Sequence, residues 1–144
     1  FGKRQTKAPK ICFTETGLAT YLLGIRTVDQ LATHPLMGHL FENMVMVEAL
    51  KHRLNRGLDS DLYFYRNASG SIEVDLLLED GLRLLPREVK SSSTYVTSMS
   101  ASLKAFCALA PQATNPLVVY SGASSPNVVA HYADTEIWAG GRPC

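Results

Sequence analysis

Two adjacent stretches hold the side chains whose types and spacing could do chemistry. Residues 71–78 alternate, with Ile72, Val74, Leu76 and Leu78 on one face and Glu73, Asp75 and Leu77 on the other. Residues 82–90 read as a returning strand that carries Glu88 and Lys90, and Asp80-Gly81 between them is a strong hairpin signal. With those two residues as the turn, Glu79 faces Leu82, Asp75 faces Pro86 and Glu73 faces Glu88. Alternation then sends Glu73, Asp75, Glu88 and Lys90 to one face of the sheet. Asp75 and Glu88 become a diagonal pair, roughly 7–8 Å apart by Cα. A bulge at Pro86, which has no N–H to give the ladder, would bring them closer.

Several carboxylates on one sheet face repel each other unless something neutralises them. A hard divalent cation does so with oxygen ligands, and Mg²⁺ takes one or two protein carboxylates and completes its shell with water. Lys90 would stabilise charge developing on a phosphate, or orient the attacking water. Glu42 lies in the middle of an apolar helix, where a carboxylate is costly unless paired or bound to metal through water. Each residue also has an ordinary reading. Asp75 can be the polar face of a strand, Glu42 the polar face of a helix, and Glu-Val-Lys a half-exposed strand. His39, Arg66 and Ser91-Ser92-Ser93 read by default as a structural histidine, a strand-end charge and a solvated loop. The order of the parts is what lifts the functional reading: helical Glu, strand Asp, then Glu-x-Lys on a hairpin return.

The elements that must position these groups follow from periodicity and punctuation. Ile11–Phe13 is a short apolar run that reads as a strand. Thr14 or Thr16 starts a short helix through Leu23, which Gly24 ends. Thr33-His34-Pro35 opens a longer helix over residues 36–55, with Gly57 as its stop. Its middle is apolar nearly all round, which predicts burial on more than one side. Lys51, Arg53 and Arg56 collect at its C-terminal end, where the helix dipole favours cations. Residues 62–66 form an aromatic-rich strand, followed by a turn at Asn67–Gly70. A helix around 99–109 and a buried strand over 117–120 come next, then short strands at Val128–His131 and Glu136–Trp138. Helix, three strands, helix, strand predicts an α/β fold: a mixed sheet covered by helices on its faces.

Composition narrows the classes. The 144 residues are 46% hydrophobic and 19% charged, enough for one domain with a real core. No window reaches the length of a spanning apolar helix and no signal-peptide pattern occurs, so the expectation is a cytoplasmic protein with no membrane partner. Cys12, Cys107 and Cys144 show no C-x-x-C spacing, and the four histidines no H-x-x-x-H pair, so neither a disulfide framework nor a histidine-rich metal site is expected. The first ten residues hold Lys3, Arg4, Lys7 and Lys10 and no acid, whereas 10 basic and 13 acidic residues follow. The body therefore lacks the basic excess of a domain that grips nucleic acid alone. Phe1–Pro9 reads as a polar, basic connector from a longer protein, with the domain at 10–140 and a tail at 141–144.

The combination resembles the PD-(D/E)XK nuclease superfamily, and more narrowly the domain of unknown function that follows the ATPase module in many prokaryotic AAA-type ATP-binding proteins. The residues that carry it are Lys10-Ile11-Cys12-Phe13 with Glu15-Thr16-Gly17-Leu18, and Gly38-His39-Leu40-Phe41-Glu42-Asn43. Phe64-Tyr65-Arg66, Gly70-Ser71-Ile72-Glu73-Val74-Asp75 and Pro86-Arg87-Glu88-Val89-Lys90-Ser91-Ser92 complete the set, so the likeness runs from residue 10 to about residue 120. It implies a restriction-endonuclease-like mixed β-sheet flanked by helices. It also implies Asp75, Glu88 and the Val89 carbonyl as Mg²⁺ ligands (with Mn²⁺ as a substitute), Lys90 as catalytic lysine and Glu42 as the supporting helical glutamate. Two positions depart from the pattern: Glu15 replaces a common aspartate, and Arg87 replaces an aliphatic residue. Alternation aims Arg87 toward Val74, so either the sheet is open there or Arg87 meets a buried acid.

The resulting expectation is Mg²⁺-dependent hydrolysis of phosphodiesters in DNA, by a C-terminal domain of an AAA-type ATP-binding protein. No G-x-x-x-x-G-K-[ST] loop occurs, so ATP would bind only in the N-terminal module. Two alternatives stay open. In one, an inactive nuclease-fold module contacts the ATPase or a partner protein; in the other, an adaptor binds DNA through the basic arm without cutting.

Overall fold

In a computed structural model, which describes residues 10–122, three helices precede a four-stranded sheet. They are α1 (Thr16–Leu22), α2 (Val28–Thr33) and α3 (Met37–Asn55). The sheet is built from β1 (Leu62–Arg66), β2 (Glu73–Asp80), β3 (Arg83–Lys90) and β4 (Leu117–Tyr120), with α4 (Ala101–Leu109) between the last two. Strand order is β1-β2-β3-β4. The first three strands form an antiparallel meander, and β4 lies parallel to β3 after the α4 crossover. The expected α/β architecture of a mixed sheet with helices on its faces is therefore present. Among the described residues no helix is long and apolar enough to cross a membrane.

The layers follow from which side chains meet. Phe41 and Val45 of α3 pack on Val89, Leu117 and Val119, while Ala49 packs on Leu76, Leu78 and Leu85. The opposite face carries Val74, Leu77, Leu84 and Val118 under Leu103 and Phe106 of α4. Leu40 turns away from the sheet to Ala19 and Ile25, so α3 is buried on two sides, as its all-round apolar middle predicts. Each apolar side chain of this size withdrawn from water contributes about 1.5–3 kcal/mol.

Gly24 and Gly57 stop α1 and α3 with φ of 78° and 69°, the left-handed conformation that glycine adopts without a Cβ penalty. Periodicity and punctuation predict no element at α2. Its start is nonetheless written in Thr27 and Gln30, which form a reciprocal capping box. Ile11–Phe13, expected as a strand, has no regular structure; Asn43 holds it through the Phe13 backbone, accepting from its N–H at 2.8 Å and donating to its carbonyl at 2.9 Å. The expected strands at Val128–His131 and Glu136–Trp138, the basic segment 1–9 and the tail 141–144 lie outside the described residues.

The hairpin differs from the expected one in two ways, and both bear on the candidate site. The turn is Gly81-Leu82, so Asp80 pairs with Arg83, Glu79 with Leu84 and Leu76 with Arg87. Gly81 takes φ 61° at the first turn position, where a two-residue hairpin loop needs it, and Leu82 is left in solvent. The bulge is not at Pro86 but in β2. Tyr63 pairs with Leu77 and Tyr65 with Val74, so Asp75 and Leu76 together face the single residue Phe64. That extra residue breaks the period of two. Val74 and Leu77 face α4, whereas Leu76 and Leu78 face α3, so Ile72, Val74, Leu76 and Leu78 do not share a face.

Candidate functional site

Extending the observed register by one residue sets Asp75 directly across from Glu88, not diagonal to it. The ladder itself ends at Leu76 and Arg87, because the next β3 N–H, that of Val89, donates to the Asp75 carboxylate (Oδ2, 2.9 Å) and not to a β2 carbonyl. The bulge turns Asp75 into that position. Val89 packs on the α3 layer, so alternation puts Glu88 and Lys90 on the other side of β3, paired along the strand with Val118 and Tyr120 of β4. The four charged residues thus do not line one sheet face, as the single-phase reading required. They gather at the end of the sheet away from the hairpin turn.

Each is tied to a partner there. Glu88 Oε1 accepts from Lys90 Nζ at 2.6 Å. Glu73 accepts from Arg66 at the exposed strand edge, at 2.5 Å. Glu42 contacts the ammonium of Lys10, which also lies 3.8 Å from Asp75 Oδ1 and 5.7 Å from the centre of the Phe64 ring. Glu88 Oε2 is buried and accepts no hydrogen bond.

Burial dominates the electrostatics. Glu88 is 6% exposed, and burial pushes its carboxyl up to about 6; the Lys90 hydrogen bond works against that shift and the charge of Asp75 with it. Asp75 is also raised, first by burial and then by Glu42, against the Val89 N–H, Lys10 and Lys90. Burial disfavours the Lys90 ammonium, yet its bond to Glu88 and the surrounding carboxylates hold its pKa above the ordinary value. Lys90 is therefore a fixed cation and not a base at neutral pH.

Among the described residues no three His, Cys, Asp or Glu side chains are grouped to hold a metal ion. Asp75 and Glu88 supply two carboxylates, and Glu88 Oε2 is a buried acceptor with no donor. That donor set suits a hard divalent ion that takes one or two protein carboxylates, one backbone carbonyl and water.

Of the other residues weighed, His39 lines an apolar cavity of about 390 Å³ beneath segment 10–13, shared with Lys10 and Glu42. Arg66 is a strand-end charge paired with Glu73. The Ser92 hydroxyl closes a local turn, donating to the Thr94 carbonyl and accepting from its N–H. Arg87 does not open the sheet, and among the described residues its guanidinium donates to backbone carbonyls. The corrected register places it against Leu76 and Leu117, fully buried, and its guanidinium donates to the Pro86 and Asn115 carbonyls at 3.1 and 2.7 Å. Burial lowers its pKa to about 10. Sequence reasoning assigned no site role to Lys10, Asn43 or Phe64. The signal for the first two was adjacency: Asn43 follows Glu42, and it anchors the segment that begins with Lys10.

The profile of one protein family, described as a domain of unknown function (DUF4143), matches residues 37–135, more than half of the chain. The chain belongs to that family. The DUF4143 match covers α3, the whole sheet and α4, and so every candidate site residue except Lys10. The chain is similar to uncharacterized proteins of Mycobacterium bovis (Mb2031c) and Mycobacterium tuberculosis (Rv2008c), 34% identical to each over 143 residues. Those alignments cover 96% of this chain, which spans 31% of the length of these relatives. No solved structure matches.

Proposed function

We propose that this DUF4143 domain is a restriction-endonuclease-like, divalent-ion-dependent phosphodiesterase acting on DNA. The observation that carries the reading is the Glu88 carboxylate, buried beside Asp75 with one oxygen lacking a donor and with Lys90 two residues on. Nothing in ordinary core packing favours that arrangement, since leaving a buried acceptor unsatisfied costs about 1–3 kcal/mol.

Asp75, Glu88 and the Val89 carbonyl would hold Mg²⁺, or Mn²⁺ in its place. Such an ion supplies a Lewis acid that polarises a phosphoryl oxygen and makes a bound water acidic enough to attack at neutral pH. The rest falls to the chain's own residues. The Val89 N–H fixes Oδ2 of Asp75, so Oδ1 would be the oxygen available to such an ion. Lys90 stays protonated, held by Glu88, and offers its charge to the phosphate as negative charge builds on it. Glu42 anchors the Lys10 end of the site from α3. The resemblance and the relatives' greater length also favour attachment to an N-terminal AAA-type ATPase module in a cytoplasmic protein, with ATP bound only there.

The test is Mn²⁺ and Mg²⁺ titration by calorimetry on the wild type beside Asp75→Ala and Glu88→Ala. Saturable binding lost in both variants, with melting retained, is the expected result and justifies nuclease assays with DNA. Unfolding of Asp75→Ala would make the carboxylate structural and remove the basis for the site.

One observation favours a second reading, an inactive module that contacts its ATPase or another protein. Glu42, Glu73 and Glu88 already have Lys10, Arg66 and Lys90 as partners, which is also what an ion-pair network without metal looks like. Wild type that binds neither ion, alone or with DNA, supports it.

A further inference from the structure

At the carboxylate end of the sheet, four acids (Glu42, Glu73, Asp75 and Glu88) meet three cations (Lys10, Arg66 and Lys90). The cations are not held alike. Lys90 lies on β3 and donates to Glu88 at 2.6 Å, and Arg66 closes the edge of β1 on Glu73. Lys10 lies in a segment without regular structure, and the Asn43 clamp on that segment acts three residues later, at Phe13. Its ammonium reaches between α3 and β2, against Glu42 and near the Asp75 oxygen that does not accept from Val89.

We propose that Lys10 is the resident counter-ion of this site, an internal cation that a divalent ion displaces from Asp75 on binding. The inference rests on the divalent-ion reading of Asp75 and Glu88 and adds its regulation. At equal distance a dication coordinated by Asp75 repels the ammonium group about twice as strongly as one carboxylate attracts it. One of the two must leave, and Lys10 is the cation with no secondary structure to hold it. In the metal-free protein the same lysine offsets the repulsion between Glu42 and Asp75, so it keeps an acidic site assembled while empty. Release of Lys10 would free the chain up to the Asn43 clamp at Phe13, so metal occupancy would be linked to the position of the chain that leads into the domain.

The experiment titrates Mn²⁺ alone into the 144-residue chain by calorimetry, comparing wild type with Lys10→Gln and Lys10→Arg. A parallel measurement follows acetylation of Lys10 by mass spectrometry with and without Mn²⁺. Displacement predicts that Lys10→Gln binds Mn²⁺ roughly three- to tenfold more tightly, because a competing charge is gone. Lys10→Arg should bind like wild type, and Mn²⁺ should raise Lys10 acetylation in the wild type. Equal or weaker binding by a folded Lys10→Gln, beside a wild type that binds, overturns the displacement and leaves the metal site standing. Tighter binding by Lys10→Arg as well overturns it too, since charge would then not be the cause. Absence of Mn²⁺ binding in all three proteins overturns the metal reading and this inference with it.

Discussion

A carboxylate held out of water, with one oxygen undonated and a second carboxylate across the strand, works against the fold that contains it. For Glu88 the sign follows from its pKa, 4.5 when exposed and about 6 in the folded chain. Below pH 4.5 both states are protonated and the side chain costs nothing; above 6 both are ionised and the folded state bears the burial. The group's contribution to stability is therefore lost as pH rises from 4.5 to 6, by about 2 kcal/mol. Glu88→Gln keeps an acceptor for Lys90 and removes the buried charge, so it should raise stability at pH 7 by about 1 kcal/mol, read as a melting temperature higher by a few degrees. At pH 4 the variant and the wild type should melt alike. Destabilisation at pH 7 would instead mean that the Glu88–Lys90 pair serves the fold. If Glu88 holds a divalent ion as proposed, its affinity should fall as pH drops through about 6, because protons and the ion would compete for one carboxylate.

Elements, more than residues, decided what could be seen in the chain beforehand. The long helix, the meander, the crossover and the last described strand were legible because each ends on glycine or turn residues and keeps its period. β2 kept an apparent period while hiding its real one: Val74, Leu76 and Leu78 alternate in sequence, yet the bulge at Asp75-Leu76 reverses the phase between them. A strand buried on both faces has too little polar contrast to reveal a bulge, so the faces of Asp75, Glu88 and Lys90 were misread although the residues themselves were found. Arg87 lies two residues from its expected partner for a different reason, the turn falling at Gly81-Leu82 and not at Asp80-Gly81. Lys10 was read as part of a basic arm because nothing local distinguishes a lysine aimed at solvent from one aimed at a carboxylate. The loop that follows Lys90 gives a test at this scale. A Cβ on Gly122 would come 1.9 Å from the Ser93 carbonyl oxygen and 2.8 Å from the Tyr120 ring, while Ser121 N–H donates to the Ser92 carbonyl at 3.1 Å. Gly122→Ala must push β4 away from that loop and should cost about 1–3 kcal/mol, seen in thermal melting. Unchanged melting would show that the loop yields, and that it is no rigid wall beside Lys90.

Across the whole molecule, charge decides how DNA could be held. In the described part the cations are dispersed or already engaged. Lys51 pairs with Glu48, and Arg53 is spent on Asp61 and on the Asp59 and Glu79 carbonyls. Arg87 is buried, Lys90 and Arg66 serve Glu88 and Glu73, and Lys10 is turned into the site. The cluster at the C-terminal end of α3 lies beside the hairpin turn, at the far end of the sheet from Asp75. Lys3, Arg4 and Lys7 remain, in a first stretch of nine residues that holds no acid. If they are the phosphate contacts, duplex binding by this chain should weaken with salt at a log–log slope of about −3, since each contact contributes about −0.9. Removing residues 1–9 should then abolish that binding, measured by fluorescence anisotropy, while Mn²⁺ titration stays as in the longer chain. A slope near −8 would require a basic surface that this distribution does not contain. Binding that survives the truncation with its slope unchanged would move the contact to the carboxylate end of the sheet, and a dependence on Mn²⁺ would identify the ion as the bridge.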